Sequence, residues 1–409
     1  MTQLEQIYKK NDYLRHFILI RDVMDYITSG CVKSGVGKLR CNSMVKAIVW
    51  GAGHIAGDFM RLRIYNNHVY EVVCIMDNDC NKQGKYFYGR EIISPREIKN
   101  VDYEIIIVCV EKSDEIINQL IHDMGIGMNK IITFHDIEKR LAALIIDKYK
   151  DTLDSEIQKI LIYYRNNGFN IYGDYFVPKE KEIVYRVNYD KDGWPFILFE
   201  GKRMYFPKDH VFMEDETGRY ICNILGEQGE NSPHLYIRED MEKIKDNSVI
   251  VDAGVCEGNF ALRYADMAKR IYLIESNEKW IEPLKRTFYD YKDKTILINK
   301  FLEGYDSSNT VTLDSIINEK IDFLKMDIEG AEVKALLGAK ELLTKSRARC
   351  SICSYHRQND EKYIRHILES YGYITDVSSG YMFFIGDNMI ADSMDFRRGM
   401  VYGWNTIDS

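Results

Sequence analysis

An α/β fold made of two Rossmann-like domains is what this sequence predicts, and three segments carry the prediction. Two are apolar strands that run into glycine turns and then helices, at 47–57 and 249–260. The third, Ile321 to Glu332, begins as an apolar run of strand length and ends in three carboxylates within six positions. Strands alternating with helices imply parallel sheets, whose ligands gather at the carboxyl ends of the strands.

At 409 residues the chain exceeds the usual size of one hydrophobic core, so more than one domain is expected. Net charge is −8, without a long basic block, which argues against a track for nucleic-acid phosphates. No run of 18 or more apolar residues occurs, so no membrane span is expected. Met1 to Lys10 is polar and lacks an apolar signal core, which reads as cytoplasmic. The nine cysteines are odd in number and several sit in strand-like runs, favouring reduced, buried thiols. Cys350 and Cys353 have the spacing of half a zinc clip. In a strand, however, positions three apart face opposite sides, so no metal is assigned.

The elements follow in order. Residues 1–44 read as a helical lead-in, with Leu4, Tyr8, Ile18, Val23 and Ile27 at roughly helical spacing. Residues 45–140 read as a small nucleotide-binding unit. Its strands are Ala47–Trp50, Val72–Met76, Ile105–Val110 and Lys130–Phe134. Gly51, Gly53 and Ala56 form the turn after the first strand, and Asp77 ends the second, the context of a dinucleotide fingerprint. The unit is too short for a full six-stranded dinucleotide fold and shows no Tyr-x-x-x-Lys pair, so redox chemistry is disfavoured.

Residues 141–245 read as a connecting and lid region, opened by an amphipathic helix over 141–166 and followed by aromatic-rich short strands. Residues 246–386 form the larger α/β unit, and 387–409 a polar tail or cap. In the larger unit Asp252, Gly254, Gly258 and Asn259 make the strand-turn-helix. Glycine there allows positive φ and close approach to a ligand. Glu275, 23 residues beyond Asp252, ends the next strand, where an acid grips a ribose diol in doubly wound folds. Asp327 stands at the end of the fourth strand, with Glu329 in the turn beyond it. Glu332 reads as a charge stabilising a helix start. His356 follows another buried strand, at the place of a general base.

Thr310–Ile316, Ile321–Glu332 and Leu336–Ala339 together resemble the FkbM-type S-adenosylmethionine (SAM)-dependent methyltransferases, in which a "TLD" element precedes an acidic strand end. Glu227–Tyr236 is similar to the element these enzymes carry before the glycine turn. The resemblance covers roughly 220–386. It implies a class I SAM-dependent methyltransferase fold, SAM as cofactor, and O-methylation of a sugar or natural-product hydroxyl. It also implies that Asp252, Gly254, Gly258, Asn259, Glu275 and His234 bind the cofactor, while Asp327, Glu329 and His356 face the acceptor. Separately, Asp77–Lys85, Phe87-x-Gly89 and Ile93–Pro95 loosely resemble small nucleotide- or sugar-nucleotide-binding domains found ahead of bacterial sugar-modifying enzymes. That resemblance implies a nucleotide-linked ligand for the N-terminal unit. Two competing readings stay open: an NAD-dependent nucleotide-sugar oxidoreductase or epimerase, and a non-catalytic nucleotide-binding scaffold. Expected partners are a small-molecule or glycan acceptor, with homo-oligomerisation left open.

Overall fold

The computed structural model describes residues 44–61, 70–175, 184–212, 220–221, 226–238, 244–384 and 395–405. The expected helical lead-in therefore lies outside the described residues. The chain is a mixed α/β protein that divides into two compact units. The first is centred on residues up to Ile171, and the second holds Tyr172–Phe212, Glu216–Phe384 and Phe396–Ser409.

In the first unit, β1 (Val45–Trp50), β2 (Tyr70–Met76), β3 (Tyr86–Phe87), β4 (Arg90–Ile93), β5 (Ile105–Val108) and β6 (Ile131–Thr133) form one sheet. Their order is β3-β4-β2-β1-β5-β6. β1 runs parallel to both β2 and β5, and β6 runs parallel to β5. Ile48, Trp50, Met76, Ile106 and Val108 are buried because such a sheet is covered on its faces. α1 (His54–Arg61) follows the glycine turn.

The expected single helix over 141–166 is two helices, α2 (Phe134–Tyr149) and α3 (Ser155–Asn167). Asp154 makes the break: its carboxylate accepts from the Glu156 and Ile157 backbone N–H groups and so caps α3. Both helices belong to the first unit, whereas the aromatic strands β7 (Asn188–Tyr189), β8 (Pro195–Phe199) and β9 (Lys202–Tyr205) belong to the second.

The second unit is organised by a seven-stranded sheet. Its strands are β10 (Val249–Ala253), β11 (Arg270–Ile274), β12 (Thr295–Ile298), β13 (Phe323–Met326), β14 (Arg349–Cys353), β15 (Ile374–Val377) and β16 (Met400–Trp404). The order is β12-β11-β10-β13-β14-β16-β15. All neighbours are parallel except those of β16, which is antiparallel to both β14 and β15.

The reading of 387–409 as a polar tail is corrected here: β16 is an internal strand, and Met400, Val401 and Tyr402 are fully buried. Flanking polar residues disguised a five-residue strand whose ladder partners lie up to about fifty residues away in sequence.

Side chains alternate across the sheet. Ile250 and Phe323 enter one core, and Val249, Val251 and Leu324 enter the other. Cys350 and Cys353 likewise fall in different cores. α4 (Asn259–Tyr264), α5 (Glu278–Thr287), α6 (Glu332–Leu337) and α7 (Asp360–Ser370) are among the helices that connect the strands. No described helix is long and apolar enough to cross a membrane.

Candidate active site

Strand order in the second unit reverses between β10 and β13: the chain adds β11 and β12 on one side, then returns to place β13 on the other. A crevice forms at such a switch point, outside the carboxyl ends of the strands. The glycine turn after β10 and the acidic turn after β13 meet there. Asp327 donates its backbone N–H to the Ala253 carbonyl at 2.9 Å. Gly254 has φ +77°, and a Cβ on it would overlap the Asp327 carbonyl oxygen and lie 2.7 Å from its carbon. The two turns thus touch backbone to backbone.

Glu275, at the end of β11, closes the other side of the turn. One carboxylate oxygen accepts from the Cys256 N–H at 3.0 Å, and the other from the Asn277 N–H at 2.7 Å. Each oxygen keeps a second lone pair, so Glu275 can brace the turn and still accept from a diol. Asp252 is fully buried beneath the turn. Lys325 Nζ lies 3.0 Å from its Oδ1, donates to the Gly254 carbonyl at 2.6 Å and reaches the Ala253 carbonyl at 3.4 Å. The negative charges of Asp252 and Asp327 outweigh burial and raise the Lys325 pKa, so the ammonium stays charged. Asp252 and Lys325 therefore hold the turn from inside. Gly258 caps α4 in the left-handed conformation, followed by Asn259, whose Oδ1 accepts from the Phe260 N–H.

One tyrosine and two histidines surround Asp327, whose side chain is 16% exposed. Tyr236 donates its hydroxyl to Asp327 Oδ2 at 2.8 Å. His234 Nε2 lies 3.5 Å from the same oxygen and 3.3 Å from Cys353 Sγ, and its Nδ1 lies 3.5 Å from Glu227. His356 Nε2 lies 3.6 Å from Asp327 Oδ1 and 3.5 Å from Glu329 Oε2. His356 Nδ1 lies 3.1 Å from Glu332.

Burial disfavours the charged form of both imidazoles, but the facing carboxylates prevail and lift each to about 9. Asp327 is held well below the usual carboxylate range, because His234, His356 and Lys325 overcome the burial that pushes it up. In the turn itself, burial lifts the Glu257 carboxyl to about 7. Glu329 has φ +56° and Gly330 φ +90°, so this turn is bent at a strained position.

Asp252, Gly254, Glu275 and Asp327 thus come together at one edge, and His356 and Glu329 join Asp327. His234, expected on the cofactor side, sits against Asp327 and Cys353. Sequence reasoning missed Tyr236 and Glu257, which carry no spacing signal, and read Cys353 as core packing only. It assigned Glu332 to a helix start, whereas its side chain is fully buried, accepts from the Ile328 N–H and faces His356.

In the first unit Gly51 (φ +108°) packs against the Cys109 carbonyl, and Asp77 Oδ2 accepts from the Ala52 N–H at 2.8 Å. Gly53 donates no steric contact of this kind, and Ala56 is fully buried in α1.

Residues 43–132 match a family model described as C2185-like, N-terminal, and residues 240–375 match the methyltransferase FkbM domain. No relative was found among curated protein sequences. Among solved structures, a methyltransferase FkbM from Methylobacillus flagellatus is 15% identical, with TM-score 0.44, covering 96% of this chain and 100% of that one. The magnesium protoporphyrin IX methyltransferase of Synechocystis, solved with bound SAM, is 14% identical with TM-score 0.28, covering 40% of this chain and 71% of that one. An rRNA methylase from Streptococcus thermophilus is 18% identical with TM-score 0.28, covering 40% and 89%. With a methyltransferase FkbM domain spanning residues 240–375, the chain is a SAM-dependent methyltransferase.

Proposed function

We propose that this methyltransferase acts on a hydroxyl of a sugar or sugar-containing acceptor, in the assembly of a polysaccharide or natural product. The reading takes both units as Rossmann-like and the second as a class I SAM-dependent methyltransferase fold, divided near residues 45–140 and 246–386. One observation supports it above the others: the Gly254 turn, Glu275 and Asp327 converge on a single switch point.

When bound, SAM supplies a methyl group on a sulfonium, whose sulfur keeps the bonding electron pair on departure. The residues of this chain do the rest. Glu275 accepts from the ribose hydroxyls while bracing the Gly254 turn, with Gly258 and Asn259 completing the cofactor side. Asp327, Glu329 and His356 face the acceptor. An alcohol is a poor nucleophile at neutral pH, so its proton must leave as the new carbon–oxygen bond forms. The small neutral fraction of the imidazoles beside Asp327, whose pKa values the facing carboxylates lift to about 9, receives it. In-line alignment of oxygen, methyl and sulfur depends on the backbone contact between the two turns.

The first unit is read as a seat for a nucleotide or nucleotide sugar at Gly51, Gly53, Ala56 and Asp77. Its brace from Asp77 to Ala52 supports that reading, because it ties the glycine turn to the acid at the second strand's end, the pairing of a dinucleotide fingerprint.

The test has two arms. Titration of the chain with SAM and its demethylated product should show binding that weakens tenfold or more in Glu275→Ala. Incubation with methyl-labelled SAM and a panel of nucleotide sugars and glycans should place label on an acceptor oxygen. Absence of SAM binding, or label found only on nitrogen, would overturn the reading.

A further inference from the structure

We propose that His356, Asp327 and Glu329 hold a divalent cation, with Glu332 orienting the imidazole from behind. His356 is 2% exposed, its Nδ1 meets the Glu332 carboxylate, and its Nε2 has no hydrogen bond of good geometry. A buried ring nitrogen left without a close partner is costly, so this one calls for a ligand.

Both nitrogens point at carboxylates. Nε2 lies 3.6 Å from Asp327 Oδ1 and 3.5 Å from Glu329 Oε2. These separations exceed a good hydrogen bond. They match the spacing of about 3.4 Å between donor atoms that share a tetrahedral ion with bonds of about 2.1 Å. Donor atoms of Asp327, Glu332 and His356 all fall within 4.8 Å of one another, with Glu332 on the Nδ1 side of the ring and Asp327 and Glu329 together on the Nε2 side.

Behind the ring, Nδ1 faces Glu332 Oε1 at 3.1 Å. A metal-bound imidazole commonly meets a carboxylate on its far nitrogen, which fixes tautomer and orientation. Glu332 is itself fixed, being fully buried and accepting from the Ile328 N–H at 2.9 Å. The other oxygen of Glu332, Oε2, has no hydrogen-bond partner and marks the same local shortage of donors.

Charge points the same way. Glu332 and Asp360 are buried beside His356, and Asp327 adds a third carboxylate. The nearby cation Lys325 is engaged by Asp252 and two backbone carbonyls. The Glu329 side chain is 79% exposed, so the site has an open side for water or an acceptor oxygen.

One imidazole with two carboxylates suits a borderline divalent ion such as Mn²⁺, Fe²⁺ or Zn²⁺ better than Mg²⁺ or Ca²⁺. The other candidate group, His234, Asp327 and Cys353, is less suited. There Tyr236 already donates to Asp327 Oδ2, and Cys353 Sγ contacts both His234 and Met400 Sδ. The cation would seat and polarise the acceptor oxygen, and only that role rests on the methyl-transfer reading.

The full chain, stripped with a chelator, would be titrated with Mn²⁺ and followed by electron paramagnetic resonance. The expected result is one Mn²⁺ per chain, with nitrogen coupling from a bound imidazole in the unmutated protein. His356→Gln should remove that coupling and weaken binding at least tenfold. Glu332→Gln keeps an acceptor for Ile328 and should weaken binding roughly 10- to 100-fold while leaving circular dichroism unchanged. No stoichiometric binding of Mn²⁺ or Zn²⁺ would overturn the proposal. So would absence of nitrogen coupling, binding unchanged in His356→Gln, or coupling lost in His234→Gln instead. SAM titration on the same sample separates the claims: a chain that binds SAM but takes up no Mn²⁺ or Zn²⁺ refutes only this site.

Discussion

Replacing Gly254 with alanine tests the contact on which the site is built. Two costs add. The residue sits at φ +77°, where an L-residue pays on the order of 1–2 kcal/mol. The new Cβ would also overlap the Asp327 carbonyl oxygen and lie 2.7 Å from its carbon. Backbone atoms cannot rotate away, so one of the two turns must shift, at about 1–3 kcal/mol for overpacking. The expected loss of stability is therefore roughly 2–5 kcal/mol.

Gly193 is an internal control in the same unit. Its φ is also +77°, but a Cβ there meets nothing within 4 Å, so Gly193→Ala should show the backbone cost alone. Gly258→Ala should fall between them, because its Cβ would meet the ends of the Phe288 and Leu284 side chains at 2.9 and 3.1 Å, which can give. Urea unfolding of the three variants gives the ranking, and titration with SAM gives the function. Gly254→Ala should lose at least tenfold in SAM affinity, about 1.4 kcal/mol, while Gly193→Ala keeps it. Equal destabilisation of Gly254→Ala and Gly193→Ala, with SAM binding intact in both, would refute the claim that the two turns bear on each other.

Tyr236→Phe deletes one donor to Asp327 and should cost about 1.5–3 kcal/mol, the range for a hydrogen bond to a charged group; a change below about 0.5 kcal/mol in denaturant unfolding would show that Asp327 does not depend on it. His210 lies among Phe206, Phe212, Tyr220 and Trp280, with ring centroids 4.7–6.2 Å away. Burial lowers its pKa to about 4, against a slight upward pull from Asp209. The unfolded chain takes up that proton below about pH 6.5 and the folded chain only near 4. Stability present above about pH 6.5 should thus fall, by up to about 3 kcal/mol, as pH drops towards 4. His210→Phe should flatten this part of the curve, measured as urea midpoints from pH 4.5 to 7.5, and an unchanged slope would count against the aromatic enclosure.

Strands with continuous apolar runs were legible because a parallel sheet buries both faces. β1, β2, β5, β10, β11 and β13 all show such runs, and their glycine turns and terminal acids mark the edge where ligands gather. β16 was not legible, since Met400–Trp404 is short, contains a glycine and pairs only with distant strands. The candidate site was legible as far as its residues stand at strand ends: Asp252, Glu275, Asp327 and His356. Tyr236 was not, because it reaches Asp327 from 91 positions away along a loop without periodicity. The role of Glu332 was hidden for another reason. An acid in the first turn of a helix is sufficiently explained by the dipole, and nothing local reveals that His356 packs over it.

One arrangement occurs twice in this chain. In each unit an acid at the second strand's end ties down a backbone N–H of the glycine turn, Asp77 to Ala52 and Glu275 to Cys256. In each, the first glycine of the turn leans on a carbonyl across the switch point, Cys109 in one and Asp327 in the other. The frames are alike, but the residue opposite the turn is a buried thiol in the first unit and an ionised carboxylate in the second. Holding a molecule and acting on it are thereby separable properties. Under the proposed function, the shared frame serves the first, and a single side chain at the facing strand end supplies the charge needed for the second.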